Sequence, residues 1–149
     1  MGLDMYLKGR IYVGANYEHN NVNGVIYLTK NGQELDIPFN KITDISIDLG
    51  YWRKANAIHG YIVDNFAGGE DDCRDIYLNS ENLKDLLEVC KSVQESPDLA
   101  PDLLPTKQGF FFGNYEYNDY YFQDIKDTIE IIENALKHKN ISYYYQSSW

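Results

Sequence analysis

The sequence predicts an α+β fold: one domain with a mainly antiparallel sheet and about three helices packed on it. Three observations predict it. Apolar and polar residues alternate at period two through the first 50 residues, around the turn dipeptide Asn31-Gly32. From Arg53 the apolar period lengthens to three or four. Strand-like and helix-like segments then alternate to Trp149. A length of 149 residues suits a single domain, with 1–50 rich in sheet and 51–149 mixed. Hydrophobic residues make up 44%, a globular proportion that argues against a disordered chain.

Taken in order, residues 3–13 read as a first strand, in which Leu3, Met5 and Leu7 alternate and Ile11 and Val13 continue. Gly9 is a candidate bulge. The Asn-rich stretch Ala15 to Asn23 reads as a loop, and Val25 to Lys30 as a strand. Asn31-Gly32 turns it into a return strand, Glu34 to Ile37, which Pro38 stops. Ile45, Ile47 and Leu49 alternate with Ser46 and Asp48, as in a half-buried strand. Ala55, Ile58, Ile62 and Phe66 then mark a helix of about 13 residues starting at Arg53. An acidic Gly-Gly turn ends it, and Arg74 to Leu78 is a short strand. Ser80 is placed to cap a helix that buries Leu83, Leu86, Leu87, Cys90 and Val93.

Pro97, Pro101 and Pro105 punctuate a linker from Ser96 to Thr106. Gly109-Phe110-Phe111-Phe112-Gly113 reads as a strand buried on both faces or lying under a pocket. Asn118 or Asp119 caps a helix with the stripe Tyr121, Phe122, Ile125, Ile129, Ile132 and Leu136. Lys137, His138 and Lys139 suit its C-terminal dipole. Ile141 to Tyr145 is a last strand, and the large ring of Trp149 is expected to dock.

Composition narrows the function classes. Thirteen Lys and Arg against 23 Asp and Glu give a formal charge of −10, which opposes binding to duplex nucleic acid. No apolar run approaches the roughly 18 residues of a membrane span, so no membrane partner is expected. Met1 to Leu7 does not read as a signal peptide, and Tyr6 stands where a myristoylation motif wants Ser or Thr. Cys73 and Cys90 form neither a disulfide framework nor a zinc spacing, so they read as reduced thiols of a cytoplasmic protein. No phosphate loop, dinucleotide fingerprint, zinc-protease motif or serine elbow is present, and no cofactor is expected. Glu70, Asp71 and Asp72, and the pair Asp124 and Asp127, read as solvated acids rather than metal ligands.

One segment stands out against this acidic background. Tyr51-Trp52-Arg53-Lys54-Ala55-Asn56-Ala57-Ile58-His59 puts adjacent cations at an expected helix start, where the dipole favours acids. Trp52, Asn56 and His59, spaced four and three apart, share one expected helical stripe. A Trp ring, an amide, an imidazole, Arg53, Lys54 and free helix N–H groups could hold an anionic aromatic ligand such as a nucleotide. The plainer alternative is that Trp52 packs on the sheet, Asn56 and His59 satisfy backbone groups, and Arg53 and Lys54 pair with acids.

Tyrosine is the compositional surplus: 14, against 6 Phe and 2 Trp. Seven fall in two late clusters, 115–121 and 143–145. Tyr117, Tyr121 and Tyr144 are candidates for a groove opposite the Trp52 stripe, because tyrosine combines an apolar ring with a polar tip. Core and rim packing is the alternative.

The blocks Met1-Gly2-Leu3-Asp4-Met5-Tyr6-Leu7, Tyr51 to His59, Leu103-Leu104-Pro105-Thr106, Gly109 to Gly113 and Tyr144-Tyr145-Gln146-Ser147-Ser148-Trp149 resemble a family of small uncharacterised proteins of phages and bacterial genomes. The resemblance runs almost end to end. It implies a prokaryotic or phage-infected cytosol and supplies no activity. The kinase label sometimes attached to members gains no support from this chain, in which no phosphate loop is visible.

Three functions follow in order. The first is a non-catalytic binder of a small anionic ligand through Trp52, Arg53, Lys54, Asn56 and His59. The second is an acidic interaction module acting on a host protein. The third is a small enzyme with His59 as its acid or base.

Overall fold

The computed structural model describes residues 2–14 and 27–149. Among these residues are six strands: β1 (Asp4–Tyr12), β2 (Thr29–Lys30), β3 (Gln33–Glu34), β4 (Asp44–Arg53), β5 (Ile76–Leu78) and β6 (Ser142–Ser148). Four helices accompany them: α1 (Asn56–Phe66), α2 (Ser80–Glu95), the single turn α3 (Ala100–Leu103) and α4 (Asp119–Ala135). The expected α+β architecture is present, with α1, α2 and α4 as the three long helices.

The main sheet has the order β4-β1-β6-β5, and every neighbouring pair is antiparallel. Its alternation sorts side chains cleanly. Leu3, Met5, Leu7, Trp52, Ile76, Leu78, Tyr143 and Tyr145 are buried, whereas Tyr6, Lys8, Arg10, Tyr51, Tyr77 and Tyr144 keep exposure on the other face. The first set forms one core with Ile58 and Ile62 of α1, Leu83 and Leu86 of α2, and Ile125 and Ile132 of α4.

A bulge decides which residues of β4 point inward. Leu7 pairs with Gly50, but Lys8 pairs with Asp48, so Leu49 is the extra residue. The expected bulge at Gly9 is therefore misplaced; Gly9 pairs regularly with Ile47 and Tyr143. Uninterrupted alternation from Ile45, Ile47 and Leu49 would turn Tyr51 and Arg53 inward. The extra residue resets the phase, so Gly50 and Trp52 face the helices instead. Gly50 is required there: a Cβ on it would collide with the Ile131 side chain of α4.

The helix expected from Arg53 begins only at Asn56. Trp52 and Arg53 belong to β4, and Lys54 has φ 61°, a left-handed conformation that a helix cannot contain. Trp52, Asn56 and His59 therefore do not share a helical stripe. The α2 cap is Asn79 rather than Ser80: its Oδ1 accepts from Asn82 N, and Asn82 Oδ1 accepts in turn from Asn79 N. Asn118 caps α4, accepting from Tyr120 N and Tyr121 N.

The Asn31-Gly32 turn is present, both residues having positive φ (53° and 77°), as a tight hairpin turn requires. Its strands are shorter than expected, since only Thr29 and Lys30 pair with Glu34 and Gln33. Val25, Ile26 and the loop Ala15 to Asn23 lie outside the described residues.

Gly109 to Gly113 is not a strand. Phe112 N donates to Gly109 O in a turn, Phe110 is 96% exposed, and only Phe112 is buried. Tyr115 and Asn56 take up backbone groups that a strand partner would have used. Trp149 is half exposed, with its indole N–H directed at Asp71 Oδ1 (3.3 Å).

Candidate functional site

The junction between β4 and α1 meets the start of α4 across a cleft of about 430 Å³. One wall is Arg53 to Ile58, and the other is Tyr120, Tyr121, Asp124 and Ile125 of α4. Thr106 and residues of the loop before α4 (Gly113, Asn114, Glu116, Asn118) complete it. A cleft of this volume lies within the range of small-molecule sites.

Local geometry fixes the cationic wall. Lys54 N donates to Leu3 O (2.8 Å), continuing the sheet ladder past the last strand residue. The positive φ of Lys54 then turns the chain into α1. Its aliphatic stem runs between Gly2 and Gly113, where added Cβ atoms would come within 3.0 and 3.1 Å of it. Arg53 is mostly exposed and lies 3.8 Å from Asp4. Among the described residues Lys54 makes no salt bridge.

The α1 start is open in a second sense. Ala55 stands at its cap, no side chain accepts from its first-turn N–H groups, and the first turn holds no acid. These amides and the helix dipole give the wall a positive potential.

The facing wall carries the opposite sign. Asp124 projects from the apolar stripe of α4, next to Tyr121 and Ile125. Burial, with the nearby charge of Asp127, pushes its carboxyl up to about 7. Asp124 was expected to be a solvated acid, and this wall is where the structure departs from that expectation. The legible signal was its helical spacing, three residues after Tyr121 and one before Ile125 on the buried stripe. Glu116, Asn114, Asn118 and Thr106 carry no comparable signal, because the loop before α4 and the segment around Thr106 bring them to the cleft.

The expected binding residues divide. Arg53, Lys54, Asn56 and Tyr121 line the cleft. Asn56, however, is consumed by structure: its amide donates to Phe112 O (3.0 Å) and Asn114 O (2.8 Å), and its Oδ1 accepts from Lys107 N (3.0 Å). It clamps the 106–114 loop to α1. Tyr121 donates to Leu104 O (2.8 Å), and burial raises its hydroxyl pKa.

The other four do not line it. Trp52 is buried under α4, its indole N–H donating to Thr128 Oγ1 at 2.8 Å. Tyr117 packs edge-on against Tyr121 behind the cleft wall. Tyr144 lies on the opposite face of the sheet, where the Arg10 guanidinium sits 4.1 Å from its ring centroid. His59 is 1% exposed and both ring nitrogens are engaged, Nδ1 with the Tyr145 hydroxyl (2.7 Å) and Nε2 with Asp71 Oδ2 (2.9 Å). As an acid or base His59 would have no route to a substrate in the cleft.

Among the described residues, no three His, Cys, Asp or Glu side chains converge as metal ligands. Nor is any helix there long and apolar enough to cross a membrane. Compared with known proteins, the chain matches no family model, no curated protein and no solved structure.

Proposed function

We propose that the protein binds a small anionic, nucleotide-like ligand in the cleft, without transforming it. The observation that carries this reading is the cleft wall formed by Arg53, Lys54 and the uncapped start of α1. Arg53, Lys54 and the first-turn amides of Ala57 and Ile58 line the cleft, in a chain of charge −10. Tyr120 and Tyr121 offer rings to an aromatic moiety. Trp52, His59, Tyr117 and Tyr144 have no part in this version of the site.

A thermal-shift screen of nucleotides and cyclic dinucleotides tests it. A ligand at about a hundredfold excess over Kd stabilises by roughly 2.7 kcal/mol, a shift of several degrees. The shift is expected to vanish in Arg53→Ala/Lys54→Ala. Absence of any shift, or a shift that survives the double substitution, defeats the reading.

One observation favours a second reading, an acidic module that contacts a host protein. Tyr12, Tyr51 and Tyr77 are exposed on the face of the sheet turned away from the core, and tyrosine is enriched at protein interfaces. Under that reading, Tyr51→Ser/Tyr77→Ser abolishes partner capture and leaves the ligand shift intact. The proposed setting for either is the cytosol of a prokaryotic or phage-infected cell, in keeping with two free cysteines.

A further inference from the structure

We propose that the ligand of the cleft is dipolar: an anion that also carries an amino group, its anionic end at Arg53 and Lys54 and its amino end at Asp124. This rests on the anion-binding reading above and narrows the ligand class.

The cleft holds charges of both signs that do not neutralise one another. Arg53 and Lys54 stand on the β4–α1 wall, and Asp124 on the α4 wall, with Glu116 in the loop between. Arg53 approaches Asp4, on the sheet, rather than Asp124. Among the described residues the Asp124 carboxyl makes no salt bridge, and its backbone carbonyl accepts from the Thr128 hydroxyl.

The influences on the Asp124 carboxyl are burial and Asp127, both raising it; neither Arg53 nor Lys54 lowers it. An opposite charge within about 4–6 Å would do so. The cations on the β4–α1 side and the carboxyl on the α4 side thus line one cleft without a salt bridge joining them. Asp127 on its own helix, Glu116 in the loop, and Arg53 and Lys54 across the cleft are the charged groups around Asp124.

A half-buried carboxylate without a cation is costly, and an incoming ammonium supplies the missing charge. A plain anion spanning the cleft would instead meet Asp124 as a like charge. Adding an amino group turns that repulsion into an ion pair, which makes the acidic wall a selectivity element.

The experiment uses ω-aminoalkyl phosphates of increasing chain length and n-alkyl phosphates of matched length. Binding is followed by amide NMR titration at low salt, at pH 8 and pH 6. At pH 8 both series carry a dianionic phosphate, so their ratio there isolates the amino end. In the wild-type protein the best aminoalkyl phosphate is expected to bind about tenfold tighter at pH 8 than its alkyl match, perturbing amides at both 54–58 and 120–125. The ratio should shrink at pH 6, where the Asp124 carboxyl is protonated, and fall to about one in Asp124→Asn.

If both series bind equally and Lys54→Ala weakens both, the dipolar ligand is wrong and the anion site stands. A preference that persists in Asp124→Asn also overturns the assignment. If neither series binds at millimolar concentration, both readings fail together.

Discussion

Lys54 occupies a conformation that suits glycine, with φ 61°. A side chain in this region costs roughly 1 kcal/mol or more. Lys54→Gly is therefore expected to be more stable than Lys54→Ala by about 1 kcal/mol in urea denaturation, although both remove the same charge. Equal stability would show that Lys54 is not strained. Strain at a residue lining a cleft is what a positioned functional side chain would carry.

Asp124 makes a second residue-scale prediction. Its folded-state pKa is about 7, well above the roughly 4 of an unfolded aspartate. The folded state thus holds the proton more tightly, and this carboxyl destabilises the fold as pH rises through about 7. The destabilisation disappears as pH falls toward 4. Asp124→Asn removes it, so the variant should gain on the order of 1 kcal/mol at pH 8, discounted for its partial exposure, and almost nothing at pH 4. Thermal melts at the two pH values check the difference.

At the scale of elements, β4 and α4 determine each other. The bulge at Leu49 brings Gly50 to the core face, and α4 packs so closely there that a methyl group at position 50 would strike Ile131. Gly50→Ala should cost about 1–3 kcal/mol. Combined with Ile131→Ala, it should cost clearly less than the sum of the two single changes, because the second truncation makes room for the first. Additive costs would place the clash elsewhere.

Most elements were legible because their signals are local. The stripe of α2 predicted its five buried residues, and Asn118 the start of α4. The errors cluster where a strand ends. The alternation through Leu49 carried no mark of the bulge, and the chemistry of the segment after Trp52 resembles a helix start that the backbone delays to Asn56. Likewise three consecutive phenylalanines look like a buried strand, but they fold as a turn that Leu3 N meets with one bond, to Phe111 O.

At the scale of the whole molecule, β6 lies between β1 and β5, so the sheet joins residues 4–12 to residues 142–148. Tyr145 is fully buried in that central strand, and its hydroxyl meets His59, which reaches on to Asp71. A chain ending at residue 141 loses Tyr143 and Tyr145 from the core and strips β5 of its ladder partner. It is expected to show no cooperative unfolding transition by circular dichroism. A sharp transition in that variant would mean that the core is complete without β6.

The long-range pairing also distributes the tyrosines. Tyr143 and Tyr145 point into the core while Tyr144, between them, joins Tyr6, Tyr51 and Tyr77 on the outer face. The two late clusters therefore do not line a single groove. Tyr121 reaches the cleft, and Tyr120 joins it there, because α4 crosses the end of β4.

Periodicity and capping chemistry were enough to specify the α+β class, the strands β1 and β4, and the helices α2 and α4. These depend on neighbours a few residues apart, and such preferences are written in the chain itself. Strand order, the inward turn of Trp52, the burial of His59 and the meeting of Asp124 and Lys54 at one cleft were decided by packing. Each depends on groups brought together from distant parts of the chain, where a single extra residue in one strand reverses which side chains meet.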